Sequence, residues 1–391
     1  MNTKQQLIDQ LITNPREFTD EKLRELLSLP ELNSSDLRSI LLRLFDKNNG
    51  SIDNDSDAAE SWMGKLNKRA NKKKNKLFWK RIKKGKTKKI ILAEGDSWFE
   101  FPIYIKEIID QLNDNKAYAI KSHAYGGDWI SNILYEQQYI EDLSLLKPDV
   151  FLISGGGNDI VGNNRLAYLL KRRVNIENDI KEKPIDLTTD LGKLQFSDLC
   201  FNNEFYALLK LFELQYHLLF TSIQKSVDKF KDLKIITQGY DYAIPSKSKG
   251  FGFNILKAPK PILNLITGTG KWLNTPLLLR GYTNQEEKNA ILFGMIERFN
   301  NTLISLGKQY KNVYHIDCRG AIDPKKGWND ELHPTSKEFK VIADVYKKCI
   351  EGEPDDDNCG GVYSVIDYKK NKEYFKKYDN CDQINSPSLS V

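Results

Sequence analysis

The sequence predicts an α/β domain built on a parallel sheet. Three observations lead there: five short apolar runs that read as strands, helix-period spacing between them, and chemistry-bearing residues just past the ends of those runs. The runs are residues 89–94, 117–123, 149–154, 234–238 and 313–317. Helical patterns occupy about 103–113, 129–143, 204–231, 284–309 and 336–350. Strands that alternate with helices argue for a parallel sheet, and such sheets bind ligands beyond the carboxyl ends of their strands.

Residues 1–48 precede this pattern and carry three short helix-period stretches, led by Leu7, Leu23 and Leu37, with Pro15 and Pro30 between them. They predict a small helical module that packs on the main domain or on a partner. Residues 49–87 read as a polar, Lys-rich linker, 88–351 as the α/β domain, and 352–391 as a C-terminal tail. Two stretches exceed a minimal domain, 163–203 and 241–282. The second is rich in aromatics and proline, and suits either a lid over the site or a packed flap.

Bulk properties exclude several classes. No apolar run approaches the ~18 residues that span a bilayer, and the first residues lack the order of a signal peptide. The five cysteines (Cys200, Cys318, Cys349, Cys359, Cys381) are scattered without C-x-x-C spacing. Reduced thiols in a cytoplasmic protein are therefore expected, with Cys359–Cys381 the one pair the tail could form. The net charge of +6 is local in origin: between Lys65 and Lys89 lie 14 Lys or Arg and no acid, which leaves the rest at −8. This run suits a solvated linker or, with Phe78 and Trp79, an anionic membrane surface; nucleic acid is the weaker reading.

The chemistry rests on four short segments. Gly95-Asp96-Ser97 follows the first run, Gly126-Gly127 the second and Gly155-Gly156-Gly157-Asn158-Asp159 the third, while Asp330-Glu331-Leu332-His333 lies near the end. A serine hydroxyl becomes a nucleophile when a base takes its proton, and His333 is one of only four histidines. Asp330, three residues earlier, lies on the same face of a helical turn and would orient that imidazole. Asn158 and the N–H groups of Ser97 and Gly127 would serve as oxyanion donors. Taken singly, each segment is also an ordinary capped turn; taken in order, they form the parts of a serine esterase. No P-loop, no dinucleotide fingerprint and no G-x-S-x-G elbow occurs.

With these four blocks in this order, the chain resembles the SGNH (GDSL-type) hydrolases over roughly residues 88–350. The resemblance implies a three-layer α/β/α sandwich with a five-stranded parallel, flavodoxin-like sheet. It implies Ser97 as nucleophile, His333 as base, Asp330 as its partner, and Ser97, Gly127 and Asn158 as the oxyanion hole. Trp98 stands where the family commonly has Leu, a departure beside the nucleophile. The function expected is hydrolysis of carboxylic esters, lipid or phospholipid esters first and O-acetyl esters second, without metal or organic cofactor. The alternatives are an adaptor on a silent hydrolase core, and a bacterial conflict effector that turns the hydrolase on membranes with residues 1–48 recruiting a protein partner.

Overall fold

The computed structural model describes residues 3–29, 36, 40, 55–101, 105–161, 164–226, 233–246, 272–352 and 359–379. Five strands occupy the predicted runs: β1 (Lys89–Gly95), β2 (Tyr118–Ser122), β3 (Val150–Ser154), β4 (Lys234–Gln238) and β5 (Val313–Asp317). They are parallel, in the order β2-β1-β3-β4-β5. The order reverses between β1 and β3, and that switch point opens a crevice at their carboxyl ends. Every residue of β3 and β4 is buried, so helices cover both faces. The fold is a three-layer α/β/α sandwich.

The sheet is larger than predicted. Among the described residues it has seven strands, with β6 (Gly361–Ser364) parallel to β5 and β7 (Phe375–Lys377) antiparallel to β6. Both lie in the stretch expected to be a tail. They are only four and three residues long, too short for an alternation pattern to emerge. The hairpin also corrects the expectation of reduced thiols at one cysteine. Tyr378 N–H donates to Gly360 O at 3.1 Å, so the chain beyond β7 returns to Cys359, which is disulfide-bonded. Cys200, Cys318 and Cys349 are free and buried.

The N-terminal module is part of the main core. Helices α1 (Lys4–Thr13) and α2 (Asp20–Ser28) bury Leu7, Leu11, Leu23 and Leu26 in the same cluster as the sheet residues. They pack on the long helix Asn203–Ser226, and the Arg16 guanidinium sits 4.2 Å from the Tyr206 ring centroid. Most of the third expected helix, from Leu37 to Phe45, lies outside the described residues.

The Lys-rich segment is not a linker. Residues Asp55–Lys83 form a 29-residue helix, α3, packed against β2. Its charge hid an internal face. Asn67 and Phe78 are fully or nearly fully buried, and Lys74 is 6% exposed. Lys74 Nζ lies 2.6 Å from both Glu100 and Glu107 and donates to Phe99 O at 3.1 Å. Burial works against its charge, but the two carboxylates more than compensate and hold it protonated. Phe78 is therefore unavailable to a membrane, while Trp79 is 46% exposed. Removing Lys74 leaves two buried carboxylates without their cation, which costs about 3–5 kcal/mol. Lys74→Ala should lower the urea midpoint correspondingly; a shift equivalent to less than about 1 kcal/mol, the scale of a surface pair, would contradict this packing.

Candidate active site

Four loops at the carboxyl ends of the strands converge on Ser97. The first follows β1. Gly95 is pressed against β3, where a Cβ would stand 2.8 Å from Ser154 O, so only glycine fits there. Asp96 then fixes the turn: its Oδ1 accepts from Trp98 N at 3.0 Å and Ser154 Oγ at 3.2 Å, and its Oδ2 accepts from the Tyr240 hydroxyl. Burial raises the Asp96 pKa, and these donors oppose the rise. The carboxylate next to the serine is thus a structural brace.

The partner of Ser97 comes from far along the chain. His333 Nε2 lies 2.8 Å from Ser97 Oγ, and His333 Nδ1 lies 2.8 Å from Asp330 Oδ2. Asp330 also accepts the backbone N–H groups of Leu332 and His333, each at 2.7 Å. Because Asp330 accepts from Nδ1, the network assigns the tautomer with a proton on Nδ1 and a lone pair on Nε2 facing the serine. Burial would raise the Asp330 carboxyl, but His333 and the backbone donors overcome it and hold it below its ordinary 3.8. Phe101 packs on the imidazole with centroids 4.5 Å apart. The other histidines are engaged elsewhere: His123 with Asp142, His217 with Tyr310, and buried His315 with Thr237 and Asn300.

The expected oxyanion residues lie on two of the converging loops. Asn158 opens the short helix Gly157–Val161 after β3 and lines a pocket shared with Ser97. Gly156 makes that approach feasible with φ +108, and a Cβ there would meet Phe299 at 2.8 Å. Asn158 Nδ2 donates to Asp128 O at 2.9 Å, which uses one amide hydrogen and leaves the second. Gly127 has φ +95 and is exposed beside Asp128, outside the pocket's own lining. Among the described residues, the N–H groups of Ser97 and Gly127 donate to no protein acceptor.

Helix α3 holds this loop. Asn67 Nδ2 donates to Gly126 O at 3.1 Å and Asn71 Nδ2 to Ala124 O at 3.0 Å. With Lys74 on Phe99 O, side chains at helical spacing fasten the loops after both β1 and β2. No periodicity in the sequence marks these residues, because the face is polar and was masked by lysines.

Two further residues escaped the sequence reading. Glu331, between Asp330 and His333, is buried and accepts four backbone N–H groups: Ser246 and Asn274 at 3.0 Å, Trp272 and Leu273 at 3.1 Å. It thereby ties the two ends of the segment expected as a lid, of which 247–271 lies outside the described residues. Trp98 donates through its indole N–H to Leu332 O at 3.1 Å and packs edge-on against Tyr240 and Phe339. Trp98 thus clamps the His333 loop to the serine turn. The pocket is about 60 Å³ and otherwise apolar, with Ile160, Leu273, Met295 and Trp328 in its wall.

No protein-family model and no curated protein matches the chain. Among solved structures, it is similar to a Streptococcus pneumonia protein described as a platelet activating factor (13% identity, TM-score 0.39, 77% of this chain and 100% of the other). It is also similar to a protein from Parabacteroides merdae described as a GDSL-like lipase (13%, 0.36, 68% and 96%) and to an extracellular lipase from Streptomyces rimosus (10%, 0.34, 66% and 98%). Likeness at this level assigns no residue a role.

The depressed Asp330 carboxyl gives a signed prediction. Its stabilising contribution is present above the unfolded pKa near 3.8 and is lost as pH falls through the lower folded value. In thermal melts from neutral to acid pH, Asp330→Asn should be less stable than wild type at pH ~7 and should lack part of the wild-type decline below pH ~4. Parallel curves for the two proteins would contradict the charge assignment.

Proposed function

We propose that the protein is a serine hydrolase of the SGNH type that cleaves carboxylic esters. The observation that carries this reading is the continuous Asp330–His333–Ser97 hydrogen-bond chain, with both links at 2.8 Å. Ser97 Oγ attacks the ester carbonyl while His333 Nε2 takes its proton, and Asp330 stabilises the resulting imidazolium. The oxygen that becomes negative is met by Ser97 N–H, Gly127 N–H and the second Asn158 amide hydrogen. His333 then returns the proton to the departing alkoxide, leaving an acyl-Ser97 ester. Water, deprotonated by His333, attacks that ester, and the same proton restores Ser97 as the acid leaves. A silent adaptor core would have no need of this network.

The pocket supports a more specific substrate than the sequence suggested. Its apolar wall suits a hydrocarbon group, but about 60 Å³ is far below the ~300–1,000 Å³ of pockets that enclose larger ligands. Short acyl esters, acetyl to butyryl, are therefore placed ahead of lipid esters.

Hydrolysis of p-nitrophenyl esters from acetate to palmitate tests both levels. Activity should be highest at two to four carbons, and Ser97→Ala should abolish it, a loss of about 10⁴–10⁶-fold in kcat. Asn158→Ala should lose about 10²–10³-fold. Maximal activity on palmitate would overturn the short-chain assignment, and full activity in Ser97→Ala would overturn the mechanism.

A further inference from the structure

Helix α3 has two faces of opposite character, and only the inner one serves the site around Ser97. Along that face Asn67 and Asn71 hold the loop after β2, Lys74 reaches Phe99 O, and Arg81 donates to Tyr118 O at 2.7 Å. These anchors span ~21 Å of helix and fix its rotation about its own axis. On the opposite side Arg69, Lys72, Lys76, Lys80 and Lys83 recur at steps of three and four residues, and all five are exposed. None of the five forms an ion pair among the described residues, and no acid lies between Lys65 and Lys89. Like charges at this spacing repel one another, whereas an acid one turn away would offset them. Trp79 stands within the stripe, three residues after Lys76 and four before Lys83. It is 46% exposed and packs edge-on against buried Phe78, with centroids 5.0 Å apart.

A uniformly positive stripe is complementary to an anionic surface, and its composition favours one kind. Four of the five cations are lysines, which meet phosphate as point charges and lack the planar fork with which arginine reads bases. One tryptophan offers no succession of rings on which bases could stack. A single amphipathic ring among lysines is instead what the headgroup level of a bilayer accommodates. The helix lies lengthwise on the domain, so the stripe forms one straight edge that can rest in a membrane plane.

We propose that the outer face of α3 docks the protein on a membrane surface rich in anionic lipid. Its cations pair with the headgroup phosphates and carboxylates, and the Trp79 ring lies at the interface. None of these residues lines the Ser97 pocket, and the inference is independent of the chemistry assigned to Ser97. The proposal needs the folded helix, since the separation of inner anchors from outer cations exists only when α3 is packed on β2.

Co-sedimentation of the full chain with vesicles tests the assignment. Phosphatidylcholine alone is compared with phosphatidylcholine containing about 30% phosphatidylserine, at about 0.1 M salt. The protein should pellet with the anionic vesicles and stay in solution with the neutral ones. Each cation near such a surface is worth about fivefold in affinity. The triple variant Lys72→Gln, Lys76→Gln, Lys80→Gln should therefore bind about 10²-fold more weakly. Lys308→Gln, Lys311→Gln, Lys372→Gln makes the same change in net charge at other exposed positions and should bind as wild type does. Trp79→Ala, which leaves every cation in place, should bind several-fold more weakly. All these side chains are exposed or half-exposed, and melting curves report that each variant is folded. No pelleting with anionic vesicles, equal pelleting with neutral ones, equal losses in the two triple variants, or unchanged affinity in Trp79→Ala would each overturn the proposal. Retention of a DNA duplex of about 20 base pairs without vesicle binding would reassign the face to nucleic acid.

Discussion

One hydrogen bond joins side chains 236 residues apart, from Ser97 Oγ to His333 Nε2, and most of the molecule serves to hold its two ends in register. Neither end is intrinsically rigid, because both residues lie in loops beyond strands. The serine turn is fixed from beneath by Asp96, which takes hydrogen bonds from Trp98, Ser154 and Tyr240. The histidine loop is fixed by Asp330 and by the indole of Trp98 reaching Leu332 O. Trp98 therefore belongs to both ends, and the spacing between Ser97 and His333 passes through its ring.

Buried carboxylates recur as fasteners in this fold. Glu331 gathers four backbone N–H groups. Asp241 accepts from Tyr242, Gly320 and Ile322, and burial still leaves its pKa raised to about 6. Glu100 and Glu107 are tied to Lys74. A carboxylate with several backbone donors fixes a loop that has no ladder of its own, at the cost of desolvation. That suits an α/β sandwich whose site is built wholly from loops.

How far the sequence revealed this varied with the physics of each segment. Strands β1 to β5 were legible because their residues are apolar on both faces, and the helices between them because one face repeats at helical spacing. Ser97, Asp330 and His333 were legible as residue types beside turn-forming neighbours, and the structure brings all three together. Asn158 reaches the pocket, whereas Gly127 stands beside it. Helix α3 was not legible. Its inward face carries Asn67, Asn71 and Lys74, polar residues that pair with backbone carbonyls and carboxylates distant in sequence, so composition read it as solvated. Strands β6 and β7 were too short to register, and Glu331 looked like a spacer between two catalytic candidates until its partners were seen.

The central claim is that His333 activates Ser97 within an Asp330-oriented pair. Labelling with a fluorophosphonate, followed by peptide mass analysis, addresses it without requiring the natural substrate, since the probe reads the nucleophile itself. A single phosphonyl adduct on Ser97, formed at least about 10²-fold more slowly in His333→Ala, is the result this account predicts. A folded wild-type protein that takes no adduct at Ser97, or that is labelled equally fast without His333, would contradict it.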